Sequence, residues 1–576
     1  MTHCVNIFIA MNGTRSNAEH QAVGTGGQVR INPYSEFVLK HTTRVVHGWS
    51  IGLDLIQLFI LAILPITVIF VGLVFLKVSG TLMSIIGWLV TAIIAVLFFN
   101  TAPDIVVYAS YNGILASFGI SLMVLFTILQ VTMMDLTGAI TAISDYIKSI
   151  AAERYEQIMI LNVGLGSFLV SIGATPVTML PPIMLALGFS PLAAVALPCL
   201  GYDPLTSFSL LAIPITLPAT VFNLDVSLLG NNIALFLPVV STGFALGMLW
   251  VADGLSGVRK GLVPAVIAGL TLGISCVIFV HILPPAAIGL VGVFSGLVTI
   301  VVLFLLRVLQ GKPIFGKKID ASESKTKDSM PLWKAVLPWL ILVVFIIIIS
   351  IPAIHSGLYG LLGPLQKIHI VANKFVDLKL LNQAYFWVFI STLIAAPFLI
   401  RSRNEAHKIL TVWMRRAWAP TLAAAAFFAI AYIMDWSGQT VINSTLTFAP
   451  GTADMNMNVV IGLTLALVFG VGFPVISPAL GLFGSFVSGS ETSSNVMFYG
   501  ILKKSTDVLT LDFMKVYAAH AVAGGIASGI APAKIMNAAA VIDQLGIEGE
   551  VIRKCAPIAI ILTIVTGILL VAFLYL

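Results

Sequence analysis

Charge is what this chain lacks. Only 9% of its 576 residues are Asp, Glu, Lys or Arg, where soluble globular proteins carry roughly 25%. Hydrophobic residues make up 59%, and the imbalance persists from about residue 51 to Leu576, so a soluble fold is excluded. Cysteine is nearly absent too. Cys4, Cys199, Cys276 and Cys555 are far apart and form no Cys-x-x-Cys pair, which excludes a disulfide framework and a zinc site. No His-Glu-x-x-His, Gly-x-Ser-x-Gly or Walker-type phosphate loop occurs, so the chain is read as neither an enzyme nor a nucleotide-driven pump. No cofactor or metal is expected. The net charge of +6 does not point to nucleic acid, because the basic residues cluster in short loops between apolar runs, as the positive-inside bias places them.

What is present is a series of membrane-length apolar runs. A helix needs about 20 apolar residues to cross the hydrocarbon. By that rule spans fall near 55–77, 81–100, 113–134, 229–252, 262–282 and 286–306, then 335–353, 384–400, 418–435, 456–472 and 556–576. The expectation is an all-α polytopic membrane protein of about 12 spanning helices plus re-entrant hairpins. Its parts are a polar tail, 1–50; a first transmembrane repeat, 51–309; a basic cytoplasmic loop, 310–334; and a second repeat, 335–576. The tail is not expected to be a signal peptide, since no basic region leads into a short apolar core; it reads as disordered or as an upstream extension. A second basic stretch, Arg401 to Arg416, is also expected to be cytoplasmic, and could form an amphipathic helix on the membrane surface.

Two apolar stretches, 157–221 and 472–546, are interrupted repeatedly by Gly, Pro, Ser and Thr. The first contains Ser171, Gly173 and Thr175, then a further break at Gly201-Tyr-Asp203-Pro204-Leu-Thr-Ser207. The second contains Gly489-Ser-Glu-Thr-Ser-Ser-Asn495, then Gly524-Gly525 through Pro532. Breaks in the same order in both halves are the pattern of a transporter built from two inverted-topology repeats, with its site at the interruptions. Helices that start inside a membrane aim unpaired N–H groups and partial positive charge at an anion. The candidate substrate-binding residues are Ser171, Gly173, Thr175, Ser488, Gly489, Ser490, Thr492, Ser493, Ser494 and Asn495. Glu491 is the candidate proton-coupling acid: ionised, it would repel an incoming carboxylate; protonated, it would admit one. Lys534 is its candidate charge partner, and the two could equally form a static structural pair. Asp203 and His520 are second-tier candidates for the same role.

These residues resemble the lactate permease family, secondary transporters that carry lactate and glycolate with protons. The match lies in Gly489-Ser-Glu-Thr-Ser-Ser-Asn495, Gly524-Gly525 and Pro532. It extends to Gly188-Phe189-Ser-Pro191-Leu192, Ile213-Pro214-Ile215, Asp253-Gly254-Leu-Ser-Gly257 with Pro264-Ala265-Val266, and Trp436-Ser437-Gly438. Phe168–Pro176 departs from the family pattern, being shorter and without an acid, and Lys534 follows its Pro532 rather than preceding it. The resemblance implies a multi-pass carrier in the cell membrane, with inverted repeats, re-entrant hairpins and an elevator-like movement. Its partners would be the lipid bilayer and a small monocarboxylate with a coupled proton, and a homodimer is one assembly it could take. A sodium-coupled or exchange carrier for another small organic anion is the alternative.

Overall fold

The computed structural model describes residues 54–576, apart from Lys77, Ala152, 173–174, Asp203, 313–329, Ser350, Ala372, 449–451 and 453–454. The tail at 1–50 and most of the basic loop therefore lie outside the described residues. Eight described helices are long and apolar enough to cross a bilayer, or nine if the bent pair Leu337–Ile349 and Ala353–Gln366 is one span. Length alone thus falls short of the expected twelve, because much of the apolar sequence is cut into shorter helices. The expected span at 456–472 is the 13-residue helix Met457–Phe469, about 20 Å long against a hydrocarbon of about 30 Å.

One apparent span is two. Leu237–Ile282 runs for 46 residues but is broken at Asp253 and at Gly254, whose φ of +63° only glycine adopts at no cost. Beyond the break the chain folds back on itself. A Cβ on Gly269 would strike the Thr242 backbone, and one on Gly273 would strike Pro238. Lacking those carbons, the two arms pack backbone to backbone, as small residues allow in membranes.

Arg403–Trp436 shows the opposite behaviour. The basic stretch around 403–416 does not lie apart as a surface helix; it continues without interruption into the span, giving 34 residues. Trp413 Nε1 donates to Leu125 O at 2.8 Å, fixing this end against helix Phe118–Leu136. The all-helical expectation also needs a small correction. Two antiparallel β-hairpins, Lys367–Val371 with Lys374–Asp377 and Gln439–Ile442 with Thr445–Phe448, cap the helix ends. Asn373 Oδ1 accepts from Leu446 N at 3.0 Å and joins them.

At the centre are two helical hairpins, each followed by a broken helix. Hairpin one rises through Arg154–Ile158, the π-helical turn Met159–Gly166 and Ser167–Ser171, then returns as Pro176–Ala186. Its arms are antiparallel: Arg154 Nη2 donates to Gly188 O at 2.9 Å, and Asn162 Nδ2 approaches Met184 Sδ at 3.7 Å. Hairpin two pairs Phe473–Ser488 with the helix starting at Glu491, and Gly484 lies against Ser494 and Phe498. The broken helices are Pro191–Leu200 with Ile213–Phe222, and Phe513–Ile526 with Pro532–Ala540. None of these arms but Glu491–Leu509 exceeds 18 residues, so the breaks are left at depth within the bundle.

Ion pairs clamp these parts together. Arg307 and Lys312 both pair with Glu156 at the base of hairpin one; Glu156 and Arg307 are buried. The hydrogen bond from Lys312 to Glu156 holds the lysine above its ordinary pKa. Arg416 bridges Asp135 at 3.2 Å and Asp543 at 2.9 Å, and its hydrogen bond holds Asp543 below the usual carboxylate range. Arg154 pairs with Asp253 at 2.9 Å, with side chains 47% and 31% exposed. Removing one partner of a buried pair costs about 3–5 kcal/mol, whereas exposed pairs contribute about 0–1 kcal/mol. Glu156→Ala is therefore expected to lower the melting temperature of the detergent-solubilised protein by many degrees, and Asp253→Ala to change it little. Differential scanning fluorimetry of both variants checks this; equal shifts would contradict the assignment of the buried clamp.

Candidate functional site

The tips of both hairpins and the breaks of both helices open onto one cavity of about 50 Å³. Thr175 and Val177 reach it from hairpin one, and Gly489, Ser490, Glu491 and Thr492 from hairpin two. Tyr202, Ser209, Leu210 and Pro214 come from the first broken helix, Lys534 and Asn537 from the second. Gly119, Met123 and Val124 of helix Phe118–Leu136 close the remaining wall.

Local sequence explains why the chain breaks here. Gly489 ends its helix in the left-handed conformation at φ +69°, with its N–H donating to Ser485 O, the usual glycine stop. Pro176, Pro214 and Pro532 sit in the first turns of the helices that restart, where a missing N–H is harmless. The first broken helix is held differently. Thr206, Leu210, Leu211 and Ala212 all have positive φ, a strained state for residues with a Cβ, costing about 1–3 kcal/mol each. Such strain persists only where surrounding contacts over-determine it, and it concentrates at functional sites.

Four helices thus begin at the cavity: those starting at Pro176, Ile213, Glu491 and Pro532. Thr175, Ala212 and Ala531 make no side-chain cap at three of these starts. The helix dipoles and first-turn N–H groups therefore add to the Lys534 ammonium in favouring an anion. Lys534 donates to Ser528 Oγ and lies 3.8 Å over the ring of Tyr202, a cation–π contact that holds the head group at the cavity.

Glu491 is 5% exposed and accepts from the Ser207 hydroxyl. That bond joins hairpin two of one half to the broken helix of the other. Behind it Gly525 leaves room: a Cβ there would lie 2.6 Å from Thr206 Cβ and 3.0 Å from Glu491 Oε2. Asn495 makes a second link. Its Nδ2 donates to Pro214 O at 3.0 Å, the carbonyl whose helical partner four residues on would be Pro218, which has no N–H. The amide of one half thus satisfies a backbone acceptor that proline orphans in the other.

Not every residue anticipated from the sequence faces the cavity. Thr175, Gly489, Ser490, Glu491, Thr492 and Lys534 line it. Ser171 instead donates to Ser167 O at 2.7 Å and packs at Gly292. Ser494 and His520 approach one another at 3.3 Å between hairpin two and helix Phe513–Ile526, and His520 stacks parallel to Tyr517 in the same wall. Asn495 serves the inter-half link. Gly173 and Asp203, and the side chains of Ser488 and Ser493, lie outside what is described. Tyr202, Ser207, Ser209 and Asn537 were not anticipated individually. The Gly201–Ser207 interruption carried the first two, and Asn537 stands three residues after Lys534 on one helix, hence on the same face.

A profile of the L-lactate permease family matches residues 58–576. The chain is 26% identical over 544 residues to an L-lactate permease of Bacillus subtilis, covering 87% of this chain and 93% of the relative. It is 24% identical over 463 residues to an L-lactate permease of Streptococcus iniae, covering 79% and 92%. Against the glycolate permease GlcA of Escherichia coli it is 24% identical over 561 residues, covering 88% and 94%. The long apolar helices and this match identify an integral membrane protein and a transporter rather than an enzyme. The chain belongs to the L-lactate permease family.

Proposed function

We propose that this protein carries small monocarboxylates of the lactate and glycolate kind across the cell membrane, together with protons, by alternating access. The main support is the cavity to which both halves contribute helix starts, a lysine and a buried carboxylate. Its volume favours a small ligand. A buried water needs roughly 10–15 Å³ on this measure, so about 50 Å³ matches a molecule of a few heavy atoms. The names of the relatives, L-lactate and glycolate permeases, point to the same class.

In this reading Lys534 and the uncapped helix starts draw the substrate carboxylate. Glu491 sets the coupling, because two carboxylates in one desolvated cavity repel strongly unless a proton neutralises one of them. Anion and proton are then bound together and released together. The repeated order of hairpin and broken helix supports two repeats of opposite topology with re-entrant hairpins. Helix Phe118–Leu136, which supplies Gly119, Met123 and Val124 to one wall, would be the surface past which the hairpins move.

Uptake into proteoliposomes separates this from sodium-coupled or exchange transport. Labelled L-lactate and glycolate are expected to accumulate when the lumen is alkaline, with no response to an imposed sodium gradient; the reverse dependence would overturn proton coupling. Glu491→Gln is expected to keep substrate exchange at equal pH while losing uphill accumulation, and accumulation that survives in this variant would remove Glu491 from the coupling step. Lys534→Gln removes a charge-assisted contact of about 1.5–3 kcal/mol. It should raise the half-saturation concentration roughly 10- to 100-fold, measured from the concentration dependence of initial uptake.

A further inference from the structure

Two polar side chains in the cavity have no function in the scheme above. Thr175, at the tip of hairpin one, is 5% exposed, and Asn537, on helix Pro532–Ala540, is 3% exposed. Both line the cavity. Neither Thr175 Oγ1 nor Asn537 Oδ1 has a hydrogen-bond partner among the described residues. A buried polar atom left without a partner is costly, and native proteins rarely keep one unless something else satisfies it. Hydroxyl and amide belong to opposite halves, yet both border the same small space beside Lys534.

We infer that Thr175 and Asn537 read the 2-hydroxyl group of the substrate. This rests on the monocarboxylate reading above. With the carboxylate held near Lys534, a hydroxyl on the adjacent carbon is the next polar group the cavity meets. It donates to Asn537 Oδ1 and accepts from the Thr175 hydroxyl. A hydroxyl can do both at once, whereas the methylene of an unsubstituted acid can do neither and leaves both protein atoms unpaired. Sites that hydrogen-bond a substrate hydroxyl reject the deoxy analogue far better than apolar pockets reject an added group, because the protein's buried polar atoms are stranded. The pair therefore sets selectivity for 2-hydroxy acids over plain short-chain acids, a task separate from attracting the anion or coupling the proton.

Selectivity is read as a ratio within one preparation, so a lower transport rate does not obscure it. Unlabelled L-lactate and propionate compete against labelled L-lactate uptake in proteoliposomes of the full-length protein, wild type, Thr175→Val and Asn537→Leu. Wild type is expected to favour lactate, and each variant to reduce the ratio of inhibition constants on the order of 10- to 100-fold, mainly by weaker lactate binding. If Asn537→Leu does not assemble, Thr175→Val alone decides, because valine keeps the shape and puts a methyl group where the hydroxyl was. A preserved ratio in the variants, or a wild type indifferent between the two acids, would overturn the inference while leaving a monocarboxylate carrier intact. A wild type that takes up no monocarboxylate would remove both.

Discussion

The hydroxyl of Ser207 donates to the carboxylate of Glu491, binding a break in the first half to a hairpin tip in the second. Its importance follows from the solvent. Hydrocarbon offers no partner to an interrupted helix, so polar backbone and side chains at depth must be met by protein or by an enclosed cavity. Here each half supplies what the other is missing. Asn495 serves the carbonyl of Pro214 that Pro218 strands, and the ring of Tyr202 holds the ammonium of Lys534. The site and the joint between the halves are one set of contacts.

Such an arrangement needs rigid surroundings, and glycine and ion pairs provide them. The folded arms of Leu237–Ile282 pack backbone to backbone, while hairpin one leans on helix Val291–Leu309 at Gly292 and Gly296 and is tied to it by Glu156 and Arg307. The left-handed residues Thr206 and Leu210–Ala212 are held within this frame. Their left-handed backbone interrupts the first broken helix and leaves Ser209, Leu210 and Pro214 in the cavity wall.

Much of this was legible in the chain, and the misses share a cause. Hydropathy located the long spans, and the Gly, Pro and Ser interruptions located both hairpin tips. Composition does not reveal how a helix is cut, so Met457–Phe469 read as a span although it is only 13 residues long. Nor does it reveal direction around a break. Ser171 and Ser494 carry the same hydroxyl as the cavity's Ser209 and Ser490, and His520 is as polar, but each lies on a helix face turned to another helix. The β-hairpins at the helix ends, carrying Thr445-Leu-Thr-Phe448 and Lys367-Ile-His-Ile370, were too short to stand out beside membrane-length runs.

Scarcity of charge, by itself, determined that the chain resides in lipid, since burying more ionised groups there costs too much. The ordered interruptions in each half likewise determined where helices must stop, because glycine and proline act locally on the backbone. Only the tertiary structure decided which polar groups share one enclosed space. Thr175 and Asn537 are 362 positions apart in the chain, and no local rule relates them. Their meeting depends on two hairpins and two broken helices packing tip to tip, a long-range outcome that the breaks permit and that the shared need to satisfy buried polar atoms enforces.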